Sequence, residues 1–223
     1  MLTERSTYQE LYAALQKAMS VNFSKHPSYS GQRQRARLQG RPFFFCELRS
    51  GDHSVMLMEH SRDRYCMAML LVPGCDSEGC DLPSVVMRQI GADDQEHLFI
   101  LRGHAIKRYI QRRIHHDDHH TVSLIEYRRH MHAIVEAMTE VYAEYDSVSQ
   151  CHLLAYDGGV FIIPAETPDH IATAETYQVV SRMFVNQRIA RGKSEQGTKH
   201  LRNILTDDMR RRFAYLETIK QLK

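Results

Sequence analysis

Leu98-Phe-Ile-Leu-Arg-Gly-His104-Ala-Ile-Lys-Arg108-Tyr109-Ile-Gln-Arg112-Arg113 decides how this chain is read. Its first four residues are an unbroken apolar run, the mark of a buried strand. From Gly103 the pattern changes, and polar side chains return at every fourth position, which is helical spacing. A strand feeding a helix makes the chain α+β. The same spacing stacks His104, Arg108 and Arg112 in one column on a helix face. An imidazole that exchanges a proton near neutral pH, backed by two permanent cations, suits work on a phosphodiester.

Toward the C-terminus, Ser123-Leu-Ile-Glu126 reads as a capping box. Behind it Leu124, Tyr127, Met131, Ile134, Val135, Met138, Val141, Tyr142 and Tyr145 keep helical period, predicting a long helix. Cys151–Tyr156 and Val160–Ile163, separated by Asp157-Gly158-Gly159, predict a hairpin whose turn residues accept positive φ. Thr176–Val180 fits a third strand, with Ser181 capping a helix from Arg182 to Arg191, or else belongs to one helix from Thr173 to Arg191. A last helix is expected from Asp207 to Leu222.

Toward the N-terminus, Phe43–Leu48, Ser54–Glu59 and Tyr65–Val72 are apolar runs separated by turn-like polar stretches. They predict an antiparallel meander. An amphipathic helix is expected over residues 6–20, a polar connector over 24–42, and a short helix near Pro83–Ile90. The organisation expected is residues 1–94 as helix plus strands, 95–191 as an α+β unit and 192–223 as a basic helical tail, or one composite domain.

The 223 residues are 43% apolar and 25% charged, enough to bury a core without disorder. With no apolar run of membrane length and no signal-like start, a cytoplasmic protein without a membrane partner is expected. Five sparse cysteines fit reduced thiols; only Cys75 and Cys80 share a loop. The net charge of +2 hides an uneven spread. From Arg182 onward eleven Lys or Arg face four acids, a local field that attracts polyanions.

The motif His104-Ala105-x-x-Arg108-x-x-x-Arg112, followed by a longer helix and antiparallel strands, resembles RelE- and BrnT-like ribonuclease toxin domains over residues 96–190 or so. Here about a hundred residues precede that motif, and the chain is longer than such domains. The resemblance implies a RelE-like order of strand, helix, helix and β-hairpin, and metal-independent cleavage of RNA. His104 would move the proton while Arg108 and Arg112 hold the phosphate. Tyr109, on a neighbouring face, would stack on a base. Arg182, Arg188, Arg191, Lys193, Arg210, Arg211 and Arg212 would contact nucleic acid, RNA in preference to DNA. No cofactor and no metal are expected, and a protein partner or homodimer is compatible. The other reading is a non-enzymatic nucleic-acid-binding or protein-interaction accessory factor of a mobile element, phage or defence system.

The run His115-His-Asp-Asp-His-His120 offers metal-ligand residue types. Side chains of adjacent loop residues diverge, so the segment is expected to be a solvated loop between two helices.

Overall fold

The computed structural model describes residues 2–20, 23–25, 27–50, 53–61, 66–74, 82–90, 96–138, 144–146, 150–164 and 171–179. The expected helices from Arg182 and Asp207, the basic tail and the Cys75–Cys80 loop lie outside them. Two helices, α1 (Tyr8–Met19) and α2 (Tyr29–Leu38), precede strands β1 (Phe43–Ser50), β2 (His53–His60), β3 (Cys66–Val72), β4 (Ser84–Ile90) and β5 (Glu96–Leu101). Helix α3 (Gly103–Tyr109) follows, then α4 (Leu124–Met138), and then β6 (Glu144–Asp146), β7 (Cys151–Tyr156), β8 (Gly159–Pro164), β9 (Ile171–Ala174) and β10 (Thr176–Val179).

The fold is mixed α+β. One sheet has the order β1-β2-β3-β4-β5-β9, antiparallel except that β9 runs parallel to β5. The other has the order β10-β8-β7-β6. The expected meander is present as β1–β3, and it continues into β4 and β5.

Both faces of the large sheet are covered, and each strand divides its side chains between them with period two. Val55, Leu57, Leu70, Val72, Val86, Leu98 and Ile100 pack on one face against Leu11, Leu15 and Ala18 of α1. Met56, Met58, Met69, Leu71, Val85, Met87, Phe99 and Leu101 point the other way. There they meet Ile106 and Tyr109 of α3, Tyr127, Met131, Ile134 and Val135 of α4, and Phe161 and Tyr177 of the second sheet. Strands buried on both faces lose the apolar–polar alternation, which is why they read as continuous runs.

Three expectations are corrected. Ser84–Ile90 is a strand rather than a short helix, because Val85 through Ile90 pair antiparallel with Leu101 through Glu96. The connector over 24–42 contains helix α2, which buries only Ala36 and is anchored by its polar groups. The Tyr29 hydroxyl donates to Glu59 at 2.5 Å, and Arg37 Nε donates to the Ser61 carbonyl at 2.7 Å. Helix α4, described over Leu124–Met138, does not run to Tyr145, because Glu144–Asp146 is a strand paired with β7. Of the two readings of Thr176–Val180 the strand is the one present: Thr176–Val179 pairs with β8, and there is no helix from Thr173. The capping box forms in part: the Glu126 amide donates to Ser123 Oγ at 3.2 Å, while the Glu126 carboxylate turns elsewhere.

The hairpin turn depends on glycine. Asp157 and Gly158 both have positive φ, and a Cβ on Gly159 would run into the Tyr177 ring and the Gln178 carbonyl.

On the flank of α4, the His132 ring stacks on Phe45 of β1, with centroids 4.1 Å apart and planes 4° from parallel. Burial, reinforced by Arg128 and Arg41, pushes its pKa down to about 4 from an ordinary 6.5. The folded state therefore binds the proton less readily than the unfolded chain. Stability is unaffected above pH 6.5 and falls as pH drops toward 4, by on the order of 3 kcal/mol in full. Urea unfolding of the wild type and of His132→Phe at pH 7.5, 5.5 and 4 checks this. The wild type should lose stability relative to the variant as pH falls, and a constant difference would refute the assignment.

Candidate functional site

The strand-to-helix junction is built on Ser84. Its hydroxyl accepts from the Gly103 amide at 2.9 Å and donates to Glu4, whose side chain is 2% exposed. Gly103 has no room for a side chain, since a Cβ would strike the Leu82 carbonyl. Arg102, just before the helix, pairs with Glu175 at 2.6 Å and lies 3.9 Å from Glu4. His104 and Arg108 then emerge from α3, with Arg108 Nε 3.5 Å from His104 Nε2. Glu175 sits between β9 and β10, where its amide donates to Ile162 at 2.9 Å.

Burial raises the pKa of Glu175; Arg102 opposes this, Glu4 adds to it, and His104 is close enough to lower it. The result is a partly exposed carboxyl that takes up a proton more readily than usual, beside an imidazole and the Arg102 guanidinium. Sequence reasoning missed Glu175. Nothing in Ala174-Glu175-Thr176 distinguishes it from a strand-end carboxylate, and only the pairing of β5 with β9 brings it to the start of α3.

The column expected along the helix divides. After Tyr109 the helix widens into a turn of π geometry over Ile110–His115, and such a turn changes which side chains share a face. Arg112 is carried to the second sheet, where it donates to the Tyr177 carbonyl at 2.9 Å and Gln178 Oε1 at 3.0 Å. Its Nε bonds to Asp118 Oδ1 at 3.0 Å. His104 and Arg108 stay together, and Arg112 clamps α3 to β10.

Tyr109 is placed differently from its expected role. It is buried, packs against His130, Tyr156, Phe161 and Tyr177, and donates to Asp157 Oδ2 at 2.8 Å. A ring so enclosed has no face for a nucleobase. Arg113 holds the same turn, donating to the Asp157 carbonyl at 2.6 Å. Arg182, Arg188, Arg191, Lys193, Arg210, Arg211 and Arg212 lie outside the described residues.

The histidine loop is more ordered than adjacent-residue reasoning implies. His116 takes a left-handed conformation (φ 55°) that ends the π turn, and the His120 amide donates back to the Asp117 carbonyl at 3.2 Å. This reversal stacks His120 on His115, with ring centroids 3.5 Å apart. Both rings reach Glu126 in the first turn of α4: His115 Nε2 at 2.5 Å from Oε1 and His120 Nε2 at 3.3 Å from Oε2. The two imidazoles hold the Glu126 carboxyl below the usual range. His130, one turn along α4, has its pKa lowered by burial and by Arg129.

One buried amide joins the two clusters. Gln111, 3% exposed, accepts from Arg108 at 3.3 Å through Oε1 and donates to the His120 carbonyl at 2.9 Å through Nε2.

No protein family, no curated protein and no solved structure matches the chain. Among the described residues, no helix is long and apolar enough to cross a membrane.

Arg112→Ala should destabilise the protein by about 1–2 kcal/mol, because it removes the hydrogen bonds to the Tyr177 carbonyl and Gln178 Oε1 that hold β10. Asp118→Ala, which cuts only the exposed ion pair, should cost roughly 0.5 kcal/mol or less. Denaturant midpoints decide between them, and equal effects would contradict the clamp.

Proposed function

We propose that the chain acts on nucleic acid as a metal-independent endoribonuclease of the toxin-like type, with its reaction centred on His104, Arg108 and Glu175. The observation that carries this reading is the meeting of an imidazole, a guanidinium and a carboxyl of raised pKa at one partly exposed strand-to-helix junction. The motif from His104 to Arg112 and the helices and antiparallel strands that follow give it the resemblance to RelE-like domains.

RNA supplies its own nucleophile. Glu175 accepts the proton of a ribose 2′-hydroxyl, and the oxygen attacks the adjacent phosphorus. Charge grows on the phosphate oxygens, where Arg108 and Arg102 stabilise it. As the bond to the 5′-oxygen breaks, the His104 imidazolium donates its proton to that leaving group, giving a 2′,3′-cyclic phosphate. A carboxyl of raised pKa is the stronger base, and the imidazole serves as the acid, so the pair divides the work. Every acid–base step has a side chain to carry it. DNA, which has no 2′-hydroxyl, is not cleaved by this route.

Purified protein incubated with total RNA and with a DNA duplex, with and without EDTA, tests the reading. RNA cleavage is expected to persist in EDTA and to fall by about 10²–10⁴ in His104→Ala and in Glu175→Gln. Both variants should unfold within roughly 1 kcal/mol of the wild type, as substitutions at part-exposed sites do. Intact RNA, or cleavage indifferent to both substitutions, would overturn it.

A further inference from the structure

We propose that His115, His120 and Glu126 form a binding site for one divalent transition ion of the zinc class, joining the end of the α3 helix to the start of α4. It stands apart from the ribonuclease reading, because none of the three residues is used there.

The three donor atoms all lie within 4.8 Å of one another, two imidazole nitrogens and one carboxylate oxygen. That donor set, two histidines and a glutamate, is one that proteins use to hold zinc with a fourth position left to water. Zinc–ligand bonds near 2.1 Å in a tetrahedron put neighbouring donors about 3.4 Å apart. The His120–Glu126 separation of 3.3 Å already matches, and the 2.5 Å His115–Glu126 hydrogen bond opens by under about 1 Å.

Coordination also requires the two stacked rings, now 17° from parallel, to swing apart so that both lone pairs converge. Their side chains are 33% and 30% exposed, which leaves that rotation open.

The rest of the loop explains why these residues are selected from a run of six. Asp118 is taken by Arg112, Asp117 Oδ1 accepts from the His119 amide at 2.9 Å, and His116 Nδ1 lies 3.1 Å from the Arg112 carbonyl. Sequence neighbours diverge as expected; residues five and eleven apart converge. The backbone at His120 is fixed independently by Gln111. The scaffold thus stands before any ion arrives, and two of its three ligands come from ordered helical ends.

The test is titration of EDTA-stripped, dialysed full chain with Co²⁺, read by visible absorption, followed by displacement with Zn²⁺ and by calorimetry. One equivalent is expected, with the intense visible bands of a four-coordinate cobalt site, lost on adding Zn²⁺. His120→Ala and Glu126→Gln should each weaken binding by more than the roughly 10–100-fold typical of an outer-shell change. His119→Ala, exposed on the same loop, should leave it unchanged. Glu126→Gln keeps an acceptor oxygen for the histidines, and circular dichroism confirms that each variant is folded. Several weak equivalents, or affinity that responds equally to His119→Ala and His120→Ala, would mean an adventitious ion only; either result, or no binding at all, would overturn the proposal.

Discussion

The arrangement of this molecule depends on one hydroxyl. Ser84 receives the Gly103 amide and gives its own proton to the buried Glu4, so the first residue of β4, the first turn of α3 and the N-terminal segment meet at a single oxygen. Gly103 accepts no side chain there, which fixes the distance between the β4 backbone and the helix. A buried carboxyl such as that of Glu4 would be costly alone; the Ser84 hydroxyl and the nearby Arg102 offset that cost. Arg102 in turn reaches Glu175, so the carboxyl at the edge of the second sheet is positioned from the opposite end of the sequence.

From that junction the helix runs regularly for two turns and then widens. The π turn explains why a column that is regular in sequence is divided in space. His104 and Arg108 precede it and remain neighbours, while Arg112 lies within it and holds β10. It also turns Gln111 inward, where its amide bridges the Arg108 guanidinium and the His120 carbonyl. Tyr109, at the boundary, is drawn into an aromatic cluster with Tyr156, Phe161 and Tyr177 that joins α3 to the second sheet.

Much of the fold was legible because burial on two faces writes itself as apolar runs. The β1–β3 strands, the β7–β8 hairpin and the start of α4 follow from local pattern. What failed was local evidence opposed by tertiary pairing. Ser84–Ile90 has a proline before it and too short a run to declare its period, and β5 decides it as a strand. Helix α2 has almost no apolar face to betray it, and its polar anchors lie on β2 and just beyond it. The site divides in the same way. His104 and Arg108 were visible as spacing within one helix. Glu175 and the convergence of His115, His120 and Glu126 depend on strand pairing and on a left-handed residue, neither of which spacing encodes.

The buried Gln111 gives the connection between the two clusters a polarity. Its oxygen faces a guanidinium and its nitrogen faces a carbonyl, so the amide cannot be turned over without setting donor against donor and acceptor against acceptor. A glutamate of the same size would keep the first contact and set two oxygens face to face at the second. The side chain therefore works as an oriented dipole whose sense is fixed at both ends. Any displacement of the His120 backbone reaches the guanidinium beside His104 through one rigid amide plane.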